Sequence, residues 1–92
     1  MTWTVTFTRQ VQRAQARLPK NVVKAVAALA RELATMGPVR GNWPNYGKLG
    51  GGRHHCHLKK GKPTYVAVWM EGDQEIKLIE VIYVGTHEKA PY

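Results

Sequence analysis

The sequence predicts an α+β domain: an N-terminal strand, a two-helix hairpin, and then three or four antiparallel strands forming a twisted sheet. Three observations carry this prediction. Residues 2–8 alternate apolar side chains with threonine, the pattern of a half-buried strand. Residues 20–36 carry apolar side chains four and three positions apart in turn, the stripe of a core-facing helix. From residue 53 onward, strand-forming runs are separated by the turn sequences Lys60-Gly61-Lys62 and Glu71-Gly72-Asp73-Gln74. A chain of 92 residues has room for one core, so residues 1–92 are read as a single domain.

The elements follow in order. Within residues 2–8, Trp3, Val5 and Phe7 share one face and the threonines the other. Residues 9–18 read as a helix with Val11, Ala14 and Leu18 on an apolar stripe. On another face Arg9, Arg13 and Arg17 form a basic ridge, open to RNA, to an acidic partner or to water alone. Pro19 ends this helix or opens the next. In residues 20–36 the core stripe is Val22, Val26, Leu29, Leu33 and Met36, and Gly37-Pro38 stops it. Residues 37–52 are rich in turn formers. Trp43, Tyr46 and Leu49 interrupt this loop with apolar bulk, Trp43 and Tyr46 being read as packed under it rather than stacked on a base, and residues 45–49 have the length of a short strand. Gly50-Gly51-Gly52 reads as a flexible connector, because no helix follows it to complete a phosphate-binding loop. Residues 53–60 and 63–70 form a hairpin around Lys60-Gly61-Lys62, its second strand an apolar, well-buried run. Residues 75–84 are the last strand, and the tail 85–92, which contains Pro91, is irregular.

Composition narrows the partners. The net charge is +8, and it is unevenly spread: residues 1–70 hold twelve cations and one acid, Glu32, while residues 71–92 hold two cations and five acids. Such an imbalance points to a polyanion or an acidic partner rather than to solubility alone. One cysteine excludes an internal disulfide and suits a reducing compartment. The N-terminus has neither the basic nor the apolar region of a signal peptide, and no apolar run has the length of a membrane span. The expected location is cytoplasmic, with no membrane partner.

The chemistry concentrates in residues 53–62, where three histidines and four cations stand within ten positions. On a strand, His55 and His57 share one face, and His54 and Cys56 share the other, the face turned to the helices. Two imidazoles beside Arg53, Lys59, Lys60 and Lys62 make poor core material. They suit holding a phosphate and moving a proton. The tail repeats this chemistry with His87, Lys89 and Tyr92.

Taken together these features resemble the RelE/ParE superfamily, the toxins of bacterial type II toxin–antitoxin systems. The resemblance spans essentially the whole chain. It is carried by the strand-helix-helix-sheet order, by a last strand ending Val84-Gly85, and by four segments that are similar to one RelE-like subgroup. These are Asn42-Trp43-Pro44-Asn45-Tyr46, His55-Cys56-His57-Leu58-Lys59-Lys60-Gly61, Pro63-Thr64-Tyr65-Val66-Ala67 and Tyr83-Val84-Gly85-Thr86-His87-Glu88. The RelE branch implies a metal-independent endoribonuclease that cuts messenger RNA on the ribosome by attack of the 2′-hydroxyl on the adjacent phosphate. It implies His55, His57, His87 and Tyr92 as catalytic residues, no cofactor, and a cognate antitoxin that covers the basic site. One departure stands out. RelE-like enzymes carry a phosphate-binding arginine on the strand after the hairpin, and residues 63–70 contain none. Arg53, Lys59, Lys60, Lys62 and Lys89 are the candidates for that role.

Internal transesterification needs a base, an acid and cations, which this residue set offers. Carboxylates near the histidines in sequence are scarce, Glu88 excepted, which argues against a Mg²⁺-dependent nuclease. Two other readings stay open. A ParE-like gyrase inhibitor would have the same fold but no need of proton donors. A zinc module built on His55, His57, His87 or Cys56 would lack paired cysteines, and Cys56 faces away from its neighbours.

Overall fold

The computed structural model describes residues 2–92; Met1 lies outside the described residues. The elements are β1 (Thr4–Phe7), α1 (Arg9–Gln15), α2 (Lys20–Met36), β2 (Gly47–Gly50), β3 (Arg53–Lys59), β4 (Tyr65–Glu71), β5 (Leu78–Thr86) and one 3₁₀ turn (His87–Lys89). The strands form one sheet of order β1-β5-β4-β3-β2. The four later strands pair antiparallel as expected. β1 joins their far edge parallel to β5, so the five-stranded sheet is mixed.

Local chemistry accounts for the helix ends. The Thr8 hydroxyl accepts from the Val11 amide and caps α1. α1 ends at Gln15, earlier than the predicted residue 18, because Ala16, Arg17 and Leu18 donate to carbonyls three residues back and tighten the chain into turns. α2 keeps its predicted bounds, with Val22, Val26, Leu29 and Leu33 buried. Met36 departs from the predicted stripe and is 67% exposed. Gly37 and Pro38 occupy the space over the sheet instead, where the Pro38 carbonyl accepts from the Trp69 indole at 2.9 Å. The helices meet the sheet more than each other: α1 lies against β5 and β1, and α2 against β3 and β1.

The core lies between the helices and one face of the sheet. Val11, Val26, Leu29 and Leu33 meet Cys56, Ala67, Trp69, Ile79, Val81 and Val84, with Trp3, Val5, Phe7, Leu18, Trp43 and Tyr46 packed around them. Cys56 is fully buried in it, and burial pushes its thiol up to about 12, so it stays protonated and inert.

Three loop expectations change. The short strand over 45–49 is β2, shifted to Gly47–Gly50. The triple glycine is a defined β2–β3 turn rather than a flexible connector. All three residues have positive φ, and the Gly52 carbonyl accepts from the Glu71 amide at 2.8 Å. The last strand begins at Leu78 rather than residue 75, since the Asp73 carbonyl and carboxylate accept from the Leu78 and Glu75 amides and hold residues 73–77 in a turn. It runs on to Thr86, and part of the tail winds into the 3₁₀ turn.

Candidate active site

Strand register builds the site on the face away from the helices. Residues directly opposite across a sheet share a face. His57 lies opposite Val66, and Val66 opposite Gly85, forming one row across β3, β4 and β5. His55, Val68 and Tyr83 form the next row. β3 and β5 are two strand spacings apart, roughly 10 Å, a gap that facing side chains can close. Gly85 has no side chain, and Tyr83 leans into the space it leaves. The Tyr83 hydroxyl donates to the Thr86 carbonyl at 2.7 Å, and a Cβ on Gly85 would sit 2.6 Å from that hydroxyl oxygen. The chain thus turns off the sheet immediately before His87.

The rings of His55, His57, His87 and Tyr92 converge. The centroids of His57 and His87 are 5.6 Å apart, edge to face; those of His55 and Tyr92 are 4.8 Å apart, and those of His87 and Tyr92 5.9 Å. Four residues drawn from a strand and a tail thirty or more positions away become one cluster. Their settings differ. His55 is seated against β2, its Nε2 pressed so close to Gly47 that a Cβ there would lie 2.9 Å away. Tyr92 covers it from the solvent side while remaining 45% exposed. His57 and His87 instead flank an open cavity of about 590 Å³, which Gly61, Lys62, Pro63, Thr64 and Glu88 complete.

Register explains that cavity as well. Tyr65 pairs with Thr86, so the chain entering β4 faces the chain leaving β5. The His87 amide donates to the Thr64 carbonyl at 2.8 Å, fixing the two together. On the other wall the Thr64 hydroxyl donates to the Gly61 carbonyl at 2.9 Å and closes the β3–β4 turn. Sequence reasoning did not foresee Gly61, Pro63 and Thr64 as cavity walls, because their role follows from strand pairing rather than from side-chain chemistry.

Electrostatics favours neutral imidazoles on β3. Burial holds both His55 and His57 below the ordinary histidine value, and the positive charge of His87 adds to this. Lys60 and His55 push His57 down further. The Nδ1 atoms of both rings are buried without a hydrogen-bond partner, which leaves Nε2 as the nitrogen of each ring open to exchange a proton. Burial raises the Tyr92 phenol, which stays protonated near neutral pH.

The predicted phosphate ligands spread more widely. Lys62 lines the cavity, and Lys60 is near enough to act on His57. Arg53 sits at the far end of β3, with its Nε 3.5 Å from the Gly50 carbonyl. Lys59 and Lys89 are exposed and outside the cavity wall. Arg40, the other arginine near the sheet, is engaged elsewhere: Glu32 accepts from Arg40, Asn42 and Trp43. Those bonds, led by Asn42, hold the Glu32 carboxyl below its usual value.

The opposite face of β3 carries a polar network that sequence reasoning missed. His54 is 1% exposed and stacks parallel on Trp69, centroids 5.7 Å apart. Its Nδ1 lies 2.7 Å from the Tyr46 hydroxyl and its Nε2 2.7 Å from the Glu71 carboxylate. With a proton on Nε2 the ring donates to Glu71 and accepts from Tyr46, so every polar atom is paired. The network ties the loop before β2 to the end of β4. Among the described residues no group of three or more His, Cys, Asp and Glu is arranged to hold a metal ion.

No protein-family model matches the sequence, and no curated protein does. Solved structures do match. One is a chain of the archaeal RelE–RelB complex from Pyrococcus horikoshii OT3, with TM-score 0.64 and 18% identity over 98% of this chain and 100% of that one. Another is a mutant of the E. coli toxin RelE in the free state, with TM-score 0.70 and 21% identity over 98% of this chain and 88% of that one. The chain has the RelE fold. The strand-helix-helix-sheet order expected from the resemblance is the order observed, and the His57–His87 cavity of this RelE-like chain opens on the sheet face that the helices leave free. Among the described residues no helix is long and apolar enough to cross a membrane.

Proposed function

We propose that this RelE-like chain is the toxin of a type II toxin–antitoxin system, a metal-independent endoribonuclease that cuts messenger RNA on the ribosome and so blocks translation. The observation that carries the reading is the convergence of His57 and His87 across a cavity that also holds Lys62. Two imidazoles facing each other across a cavity can serve as base and acid. His57, kept neutral by burial and by the charge of His87, takes the proton of the 2′-hydroxyl. The oxygen attacks the adjacent phosphorus, the bond to the 5′-oxygen breaks, and that oxygen receives the proton of His87. The products are a 2′,3′-cyclic phosphate and a 5′-hydroxyl. Lys62 and Lys60 stabilise the charge that builds on the phosphate. Tyr92, tilted against His55 and edge-on to His87, holds the acid in place.

The net charge of +8 suits both RNA and an acidic antitoxin segment laid over the same face. The archaeal structure that shares the fold is a complex of RelE with RelB. The test is cleavage of a messenger RNA in a translating extract and as naked RNA, with wild type, His87→Ala and EDTA-treated protein. Ribosome-dependent cuts that survive EDTA and fall about a hundredfold or more in His87→Ala are the expected result. Absence of cleavage in both settings, with DNA gyrase inhibited instead, would replace this reading with that of a ParE-like toxin.

A further inference from the structure

The buried network on the helix side of β3 backs directly onto the site. Glu71, His54 and Tyr46 are joined in a line by two bonds of 2.7 Å. The rings of Tyr46, His54 and Trp69 also stack together, with centroids 5.8, 6.1 and 5.7 Å apart. Burial, and after it the charge of Glu71, pushes the Tyr46 phenol up, so it stays an O–H donor to the His54 ring. Breaking this line would strand buried polar atoms, so the position of Tyr46 is well determined.

The residue after Tyr46 is Gly47, and Gly47 seats His55. The two lie opposite each other across β2 and β3, and a Cβ on Gly47 would come within 2.9 Å of the His55 Nε2. β2 has little else to keep it in place. It is an edge strand of four residues that pairs with β3 alone, and its register slips between Lys48 and Gly50. Upstream, the Pro44 carbonyl accepts from the His57 amide at 2.8 Å, and Asn45 then turns the chain with φ 54°. The Tyr46 hydroxyl anchors the chain between that turn and Gly47. Beyond Gly47 the contacts run on through packed rings, His55 to Tyr92 at 4.8 Å and Tyr92 to His87 at 5.9 Å. Packed groups pass a displacement on rather than absorb it. We infer that Tyr46 and His54 are positioning residues: they pin β2 to β3 from the helix side, hold Gly47 against His55, and so set the Tyr92 and His87 rings. The use of His87 rests on the ribonuclease reading; the seating of His55 stands without it.

The experiment follows the His55 ring signals by NMR in wild type, Tyr46→Phe, Gly47→Ala and Thr8→Ala. Tyr46→Phe keeps all three stacked rings and removes only the hydroxyl. Its His55 signals should move as the ring shifts beside Tyr92, and His55 should titrate closer to the ordinary histidine value as water reaches it. Tyr83, His57, His87 and Tyr92, the titratable groups that face His55, are the same in every variant. Gly47→Ala should displace His55 with the network intact. Thr8→Ala breaks the α1 cap beside the opposite edge of the sheet and should leave His55 unmoved, which separates positioning from general loss of stability. In the cleavage assay Tyr46→Phe should lower kcat about tenfold or more at unchanged KM, because the lysines that bind RNA are untouched. Unmoved His55 signals in Tyr46→Phe, equal movement in Thr8→Ala, or a displaced His55 with wild-type cleavage kinetics overturns the inference. A wild-type protein that cuts no RNA removes the ribonuclease reading, and the NMR comparison then decides the seating of His55 alone.

Discussion

Gly85 is the sharpest structural test, because space alone decides the outcome. Its φ lies outside the left-handed region, so alanine meets no backbone penalty there. The added Cβ would lie 2.6 Å from the Tyr83 hydroxyl oxygen and 2.9 Å from Cζ, both closer than real Cβ contacts come. Tyr83 cannot yield without breaking its 2.7 Å bond to the Thr86 carbonyl. Losing that bond costs about 1 kcal/mol, and displacing a packed ring costs about 1–3 kcal/mol more. Gly85→Ala is therefore expected to destabilise by about 2–4 kcal/mol in urea titration. Tyr83→Phe loses only the hydrogen bond and should cost about 1 kcal/mol, or about 4–8 °C in Tm for a domain of this size. The two changes should couple, since each removes part of what the other disturbs. A Gly85→Ala protein within about 0.5 kcal/mol of wild type would refute the account of how the chain turns toward His87.

Two further outcomes follow from the same structure. His55 and His57 titrate below the ordinary histidine value of 6.5, so the folded chain binds fewer protons at these sites than the unfolded chain as pH falls. Their stabilising contribution is complete above about pH 6.5 and is lost as pH drops through the lower folded values, so denaturation midpoints should fall from about pH 7.5 to 5.5. Replacing both histidines with asparagine should flatten that slope; an unchanged slope would contradict the reading. His54→Phe keeps the stack on Trp69 but strands the Tyr46 hydroxyl and the Glu71 carboxylate. It should cost about 1–3 kcal/mol by urea titration, and a neutral effect would mean that the network adds no stability.

Much of the fold was legible because its signals are local. Alternation over residues 2–8 assigned Val5 and Phe7 to the inner face of β1, and the α2 stripe assigned Val22, Val26, Leu29 and Leu33 to the core. Strand alternation likewise put His54 and Cys56 on one side of β3 and His55 and His57 on the other, as observed. Where local periodicity ended, so did foresight. Met36 continues the stripe in sequence, yet Gly37 and Pro38 take its place over the sheet. Three glycines read as slack form a set turn, because their positive φ values suit a hairpin once β2 and β3 pair.

By itself, then, the sequence determined the element types, the face that each strand residue takes and the chemical character of the site, since these depend on spacing and side-chain type. The tertiary structure decided what the spacing cannot encode. It put β1 parallel beside β5, brought His57 within reach of His87 across Val66, and set the turn Gly61–Thr64 opposite the tail. It also divided the four predicted catalytic rings into a pair flanking the cavity and a tilted pair in contact beside it. Each of these contacts joins residues far apart in the chain. Their geometry follows from strand order and register, which long-range packing selects and no local pattern specifies.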